Sequence, residues 1–297
     1  MRKPRGGIPS APGVGGDHRS QELRGRVAEN RDLRHGYYRV AVEVEGIRPT
    51  FRAGQFFMLR VENGSDPLLP RAYSIYRMAQ GGRGRSRRRS GASVVFLYKV
   101  IGRGTAQLAG CRAGAAVDLF GPLGNAFTVP AGAEELVLVA GGIGVPPVIA
   151  LAEALAARRR NGGGGRSLRP TMVAFLGGRS KVDILCAADF RRADVRLSVA
   201  TEDGSAGERG LVTDLLERHL ESPPAGSRAI YACGPPGMLR RVADVAAAHA
   251  LPCQLSMEAP MGCGIGICMG CAIPVRGDRY RLCCKDGPVF EASEVLW

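Results

Sequence analysis

The chain is poor in the residues from which several common sites are built. Aromatic residues fill 6% of its 297 positions, only four of 41 basic residues are lysines, and there are four histidines. A nucleic-acid groove interleaves cations with aromatic stacking platforms, so the shortage of aromatics weighs against that class despite a net charge of +14. No apolar run reaches the ~18 residues of a membrane-crossing helix, which predicts no membrane span. The basic start, Met1 to Arg5, is followed by Gly, Pro and Ser instead of a hydrophobic stretch, so no signal peptide is expected and the expected compartment is the cytoplasm. A disulfide framework is not expected there.

What is present suits a folded multidomain protein: 45% hydrophobic and 23% charged residues, over a length that predicts two domains and a small module. The positive charge is localised. Residues 1–35 carry a net +4, residues 77–90 add +6 and residues 158–169 add +5, which leaves the remainder close to neutral. The first reads as a disordered tail over residues 1–22, and the two Gly/Arg/Ser-rich stretches read as flexible insertions.

Residues 23–130 carry β signals. Tyr38, Val40, Val42 and Val44 alternate with polar or small residues, and Phe56–Val61, Val94–Val100 and Ala116–Phe120 are further strand-like runs punctuated by Gly and Pro, the pattern of a small antiparallel barrel. Over residues 131–250 the rhythm changes. Leu136–Ala140 leads into Gly141-Gly142-Ile143-Gly144-Val145-Pro146-Pro147 and a helix with Val148, Leu151, Ala152 and Leu155 on one face. Strand-then-helix units recur at 171–176 with 181–190, at 195–200 with 211–220 and at 229–233 with 235–249, which predicts a parallel α/β sheet binding ligands at its carboxyl edge. Residues 251–297 form a third unit, holding six of the nine cysteines.

Cys263, Cys268 and Cys271 are spaced C-x4-C-x2-C, the spacing of plant-type 2Fe-2S centres, and four thiolates are what two sulfide-bridged irons require. The glycines between them let the backbone wrap closely and turn amides toward sulfur. A zinc ribbon would need a second C-x2-C knuckle, and no histidine lies in this unit. By spacing alone, Cys283 and Cys284 serve equally as the fourth ligand.

Arg71-Ala72-Tyr73-Ser74 offers a cation for a pyrophosphate, an aromatic for a flavin ring and a hydroxyl for its edge, although the tetrapeptide also fits an ordinary core strand. Gly102-Arg103-Gly104-Thr105 reads either as a phosphate-holding turn or as a simple one. The Gly141–Pro147 loop is not the G-x-G-x-x-G fingerprint, yet it stands at a strand-to-helix junction where a dinucleotide pyrophosphate meets a helix N-terminus.

The order of these motifs, with Gly121–Gly124 (GPLG), Thr201–Ser205 (TEDGS), Cys233-Gly234-Pro235 and the terminal cysteines, resembles the ferredoxin-reductase superfamily and, more closely, the electron-transfer subunits of dihydroorotate dehydrogenase B over residues 23–297. The resemblance implies an FAD-binding barrel, an NAD-binding α/β domain and a 2Fe-2S module. It favours Cys284 as fourth ligand, because Cys284-Lys285-Asp286-Gly287-Pro288-Val289-Phe290 matches that family's ending. It implies that Arg71, Ala72, Tyr73, Ser74, Leu97, Tyr98, Lys99, Gly104 and Thr105 meet the flavin. Gly141, Gly142, Gly144, Glu202, Asp203, Cys233, Gly234 and Pro235 would meet the dinucleotide, with the two carboxylates favouring NAD over NADP. Ala72 stands where the family usually has proline, which should loosen that loop slightly. The implied function is electron transfer from an FMN-containing dihydroorotate-oxidising partner, through the cluster and FAD, to NAD, in a cytoplasmic heterotetramer of pyrimidine biosynthesis. It needs no acid–base dyad, so no catalytic residue is expected. The competing reading is a stand-alone NAD(P)H-dependent ferredoxin or flavin reductase. Small subunits of NAD-dependent ferredoxin:NADP oxidoreductases typically carry Asp at the first cysteine position, where Cys263 stands here.

Overall fold

A computed structural model describes residues 20–48, 50–62, 69–80, 91–160, 170–222 and 226–297. Six strands close into an antiparallel barrel: β1 (Gln21–Arg34), β2 (Tyr37–Glu45), β3 (Phe56–Val61), β4 (Arg71–Gln80), β5 (Gly91–Lys99) and β6 (Ala116–Leu123), in the order β1-β2-β5-β4-β3-β6. The expected alternation holds in β2, where Val40, Val42 and Val44 face the interior. In β1 it runs only from Leu23 through Gly25 to Val27, because register shifts after Val27 and Asp32 move the following side chains out of phase. A helix α1 (Arg103–Ala109) plugs the barrel with fully buried Leu108, and the Asn30 amide caps it by donating to the carbonyls of Leu108 and Cys111.

Several boundaries move. Gln21 and Glu22, expected in the tail, pair with Gly121 and Phe120 of β6. Ala72 lies inside β4 opposite Met58, so it loosens no loop. Arg77 to Gln80 continue β4, and Arg158–Arg160 end a long helix; the rest of both Arg-rich stretches and residues 1–19 lie outside the described residues. The helix expected over 181–190 is a 3-10 turn at Lys181–Asp183 followed by a short helix from Ala187.

The second sheet has the order β10-β9-β8-β7-β11-β12-β15. It is built from β7 (Glu135–Gly141), β8 (Thr171–Gly178), β9 (Arg196–Thr201), β10 (Glu208–Arg209), β11 (Arg228–Cys233), β12 (Cys253–Ser256) and β15 (Val289–Glu291), all parallel except β15. Helices α2 (Val145–Arg160) and α3 (Ala187–Arg192) cover one face, α4 (Val212–Glu221) and α5 (Pro236–Ala248) the other. Strand β7 shows why: Leu136 and Leu138 point to the α2 side, Val137 and Val139 to the α4–α5 side, and all four are fully buried. Each such side chain contributes roughly 1.5–3 kcal/mol on burial.

The barrel and the sheet share a core. Tyr76, Val95 and Leu97 of the barrel belong to the same buried cluster as Leu138, Val148 and Leu151. This explains why the first half of α2 is apolar around most of its circumference, with its prolines placed in the first turn where no amide donor is needed. The cysteine-rich unit is also less separate than its composition suggests. Its first and last strands, β12 and β15, extend the parallel sheet, and residues between them loop out with the hairpin β13 (Ala272–Val275) and β14 (Arg279–Leu282). Ile273, Cys283 and Phe290 pack on Phe56, Met58 and Leu123 of the barrel.

Candidate functional site

A cleft of about 500 Å³ opens where the barrel meets the carboxyl edge of the sheet. Residues 71–74, 97–99 and 101–105, with Ile143, Pro146 and residues 256–261, line it. Every residue expected to meet the flavin is therefore brought to one place: Arg71, Ala72, Tyr73 and Ser74 from β4, Leu97, Tyr98 and Lys99 from β5, and Gly104 and Thr105 from α1. Tyr73 packs edge-on against Tyr98, and burial pushes its hydroxyl up to about 12, so it is a neutral wall at any working pH. The Arg71 guanidinium lies beside Gly104, and Arg71 Nη1 donates to the Leu69 carbonyl at 2.5 Å. The Gly102–Thr105 segment is the start of α1, not an isolated turn. The Thr105 hydroxyl accepts from the amides of Ile101 and Gly102 and donates to the Gly102 carbonyl, so it braces the segment whose backbone faces the cleft.

Sequence reasoning missed the opposite wall, residues 256–261. Glu258 is exposed at the cleft, and desolvation there holds its carboxyl above the ordinary carboxylate range. No local motif marks it; it follows β12 directly and reaches the cleft only because β12 joins the sheet next to β11.

The dinucleotide residues are distributed differently. The chain goes from β7 outward to β8 and β9, then returns to place β11 and β12 on the other side, so the strand order reverses between β7 and β11. Gly141 ends β7 with Gly142 and Gly144 just after it, and Cys233 ends β11 with Gly234 and Pro235 just after it, on the two sides of that switch point. A Cβ on Gly144 would stand 2.6 Å from the Cys233 carbonyl oxygen, so this glycine lets the two loops touch. Cys233 is fully buried, which pushes its thiol up, and it serves as packing beneath the crevice. Glu202 and Asp203 stand exposed just past β9, two strands from β7, and outside the cleft. Their amides bond to the carbonyls of Gly178 and Arg179, and Asp203 accepts from the Ser205 amide and hydroxyl.

Two polar clusters cross from barrel to sheet, and neither was legible in the sequence. In one, the Tyr37 hydroxyl donates to Asp183 Oδ1 at 2.5 Å and Lys99 Nζ donates to the same hydroxyl at 3.0 Å. In the other, Tyr76 and Arg77 donate to Asp189 at 2.8 Å each, and Arg77 also pairs with Glu153. Burial works to raise Asp189, but the bonds from Arg77 and Tyr76 outweigh it and its carboxyl lies below the usual range.

In the cysteine loop, Cys263 Sγ accepts backbone amides from Ile265, Ile267 and Cys268 at 3.4–3.5 Å. These bonds, that of Cys268 foremost, lower its thiol to about 6. Gly264 has φ +74°, and a Cβ there would lie 2.6 Å from the Met58 side chain, so the turn requires glycine. Cys271 Sγ and Cys284 Sγ are 3.2 Å apart, and the Cys284 amide points at Cys271 Sγ. Cys283 faces the other way, its thiol donating to the Met257 carbonyl at 3.3 Å. Among the described residues no three His, Cys, Asp or Glu side chains gather as for a single metal ion. Thiols without histidine, with sulfurs already bonded by amides, fit a sulfide-bridged iron pair.

A closed barrel joined through a shared core to a parallel α/β sheet, with a cleft between them, is the ferredoxin-reductase type of fold. A solved NADH-dependent reduced ferredoxin–NADP oxidoreductase superimposes with TM-score 0.73 at 24% identity, covering 92% of this chain and 90% of that one. The ferredoxin reductase of carbazole 1,9a-dioxygenase gives TM-score 0.61 at 22% identity over 82% of this chain and 68% of that one.

The particular family follows from sequence. Residues 258–296 match the family described as the iron-sulfur cluster binding domain of dihydroorotate dehydrogenase B, and residues 138–244 match the oxidoreductase NAD-binding domain. The chain is 37% identical to the dihydroorotate dehydrogenase B (NAD(+)) electron transfer subunit of Bacillus caldolyticus, over 91% of its own length and 96% of that protein. It is 32% identical to that of Desulforamulus reducens, over 82% and 86% of the two chains. The chain belongs to the family of dihydroorotate dehydrogenase B electron transfer subunits.

Proposed function

We propose that this chain carries electrons from a dihydroorotate-oxidising, FMN-containing catalytic subunit to NAD, within a cytoplasmic heterotetramer that serves pyrimidine biosynthesis. The observation that carries this reading is the adjacency of the two centres. Residues 256–261 form one wall of the cleft, and the same segment runs directly into Cys263 of the cysteine loop.

Cys263, Cys268, Cys271 and Cys284 would hold a 2Fe-2S cluster, and the cleft would hold FAD. When bound, the cluster supplies a one-electron carrier, and the flavin a carrier that exchanges single electrons with it and a hydride with nicotinamide. The chain's own groups position and tune. The Arg71 guanidinium and the backbone of residues 102–105 would meet a pyrophosphate, Tyr73, backed by Tyr98, would wall the ring, and the Ser74 hydroxyl would bond at its edge. Amides aimed at Cys263 favour its thiolate form. Loops 141–144 and 233–235, flanking the switch point, would receive the dinucleotide, and Glu202 and Asp203 would repel a 2′-phosphate while accepting from a ribose hydroxyl.

The test is a visible spectrum of the purified protein with flavin, iron and acid-labile sulfide quantified together, followed by NADH addition. Equimolar flavin, two irons and two sulfides per chain, bleached by NADH, are expected. Coexpression with a dihydroorotate-oxidising chain should then let dihydroorotate bleach the same bands. Zinc or no metal overturns the cluster, and NADH-driven reduction of ferredoxin with no response to dihydroorotate favours the stand-alone reductase.

A further inference from the structure

A further polar contact reaches out from the barrel, apart from the two clusters at the barrel–sheet seam. Asn125 stands two residues beyond the end of β6, and all three hydrogen bonds of its side chain go to the segment that carries Cys284. Its Nδ2 donates to the carbonyls of Asp286 at 3.0 Å and Val289 at 2.7 Å, and its Oδ1 accepts the Val289 amide at 2.9 Å. The Asn125 backbone amide adds a fourth bond, to the Gly287 carbonyl at 2.7 Å. Two carbonyls and one amide are the complement of a primary amide, and no other side chain of that size offers the same set.

The exchange with Val289 has the form of a β-ladder. Val289 lies in β15 opposite Ser256 of β12, and the Met257 amide bonds to the Pro288 carbonyl, so the polar groups of Val289 itself face the outer side of the last strand. Asn125 meets them there in place of a further strand. Gly124 permits the approach, since its φ is +78° and a Cβ would lie 2.5 Å from Pro288 Cδ. The segment so held has two roles. Pro288 lines the cleft together with Phe56, and four residues earlier Cys284 Sγ stands 3.2 Å from Cys271 Sγ. Within the turn, Asp286 Oδ2 accepts the Leu282 amide at 2.7 Å, which shapes it. Packing of Cys283 and Phe290 on Phe56 and Leu123 presses it toward the barrel, but apolar contact is non-directional. The bonds of Asn125 supply the direction.

We infer that Asn125 is the positioning residue of the cluster's fourth ligand: it ties the Cys284 turn to the barrel and so fixes where the cluster stands against the flavin cleft. The inference rests on the reading of Cys263, Cys268, Cys271 and Cys284 as the ligands of a 2Fe-2S cluster.

The test compares wild type with Asn125→Ala, Asn125→Asp and Gln254→Ala, each purified with flavin and cluster bound. Gln254 is the control: its amide also bridges two parts of the chain, but its partners are Thr128 and Glu291 and not the Cys284 turn. Two quantities are read, the rate of iron release to excess chelator and the electron paramagnetic resonance spectrum of the dithionite-reduced cluster. Asn125→Ala should release iron about tenfold faster, because local opening of the turn becomes that much more frequent once the net worth of a hydrogen bond is lost. Its g values should shift, since they follow ligand geometry. Asn125→Asp keeps the acceptor for the Val289 amide but sets a carboxylate oxygen against two carbonyls, and it should shift both readings the same way. Gln254→Ala should lower the thermal midpoint and leave both readings at their wild-type values. If Asn125→Ala does not fold, Asn125→Asp decides by the same two readings. Wild-type release and spectrum in the Asn125 variants overturn the inference, and so do equal changes in Gln254→Ala, which would mark a general loosening of the sheet; the proposed function stands in both cases. Wild-type protein that purifies with flavin but without iron overturns that function, and the inference with it.

Discussion

In the cysteine loop, Cys263 takes its amide bonds from Ile265, Ile267 and Cys268, all within five residues of it. At the seam, Asp183 meets Tyr37 across 146 residues of chain, and Asp189 meets Tyr76 across 113. The loop is also exposed, with Ile267 at 74% and Met269 at 57%, whereas Tyr37 and Tyr76 are buried. A site whose geometry is set by consecutive backbone turns can be carried by a short stretch of sequence and needs little around it. A site assembled by topology depends on every element that brings its parts together, and its failures should be graded instead of complete.

The sharpest way to break this contrast is at the paired sulfurs. Cys271→Ser and Cys284→Ser should each abolish retained iron and sulfide while flavin stays bound, and Cys283→Ala should leave the iron content unchanged, since its thiol points to Met257 and away from the loop. Iron and sulfide assays on purified variants check this; iron loss in Cys283→Ala with retention in Cys284→Ser would reverse the ligand assignment.

Next in size is the contact between the β7 and β11 loops. Gly144→Val puts a side chain against the Cys233 carbonyl, and overpacking of this kind costs about 1–3 kcal/mol. A lowered thermal midpoint is expected, and in a chain of this size it should be a few degrees per kcal/mol.

At the seam, Tyr76→Phe removes one donor from a carboxylate that keeps Arg77 and Arg192, so about 1 kcal/mol is expected by denaturant titration. A loss as large as that from Gly144→Val would show the seam to be as indivisible as a local site.

The smallest effect is a pH dependence. Asp183 and Asp189 are held below their ordinary range, since the bonds they accept outweigh the upward push of burial. Their contribution is therefore fully present above the unfolded carboxylate pKa of ~3.9 and fades as pH falls through their lower folded values. Thermal midpoints measured from pH 6 to 3 should fall less steeply in Asp189→Asn than in wild type.

The legibility of the molecule follows the same division. The barrel strand β2, the β7–loop–α2 unit and the C-x4-C-x2-C segment could be read directly because periodicity and spacing are local properties. Strand β1 was obscured by its two register shifts, which break the period-2 pattern. Spacing left Cys283 and Cys284 equivalent; these neighbouring residues point in different directions, sending one thiol to the Met257 carbonyl and the other to Cys271. The residues expected to meet the flavin do share one cleft, but Glu258 on its far wall and the Tyr37–Asp183 contact had no local signal.

The sequence by itself determined the kinds of chemistry available: thiolates at fixed spacing, a cation beside an aromatic and a hydroxyl, glycines at a strand-to-helix junction. Those depend on residue identity and on distances of a few positions, which the covalent chain enforces. Only the tertiary structure decided which of them face one another. The shared core of barrel and sheet sets the cleft, the insertion of β12 beside β11 brings residues 256–261 to its wall, and the turn after β8 delivers Asp183 to Lys99. Such meetings are fixed by the packing of buried apolar faces over long sequence separations, which no short window of residues encodes.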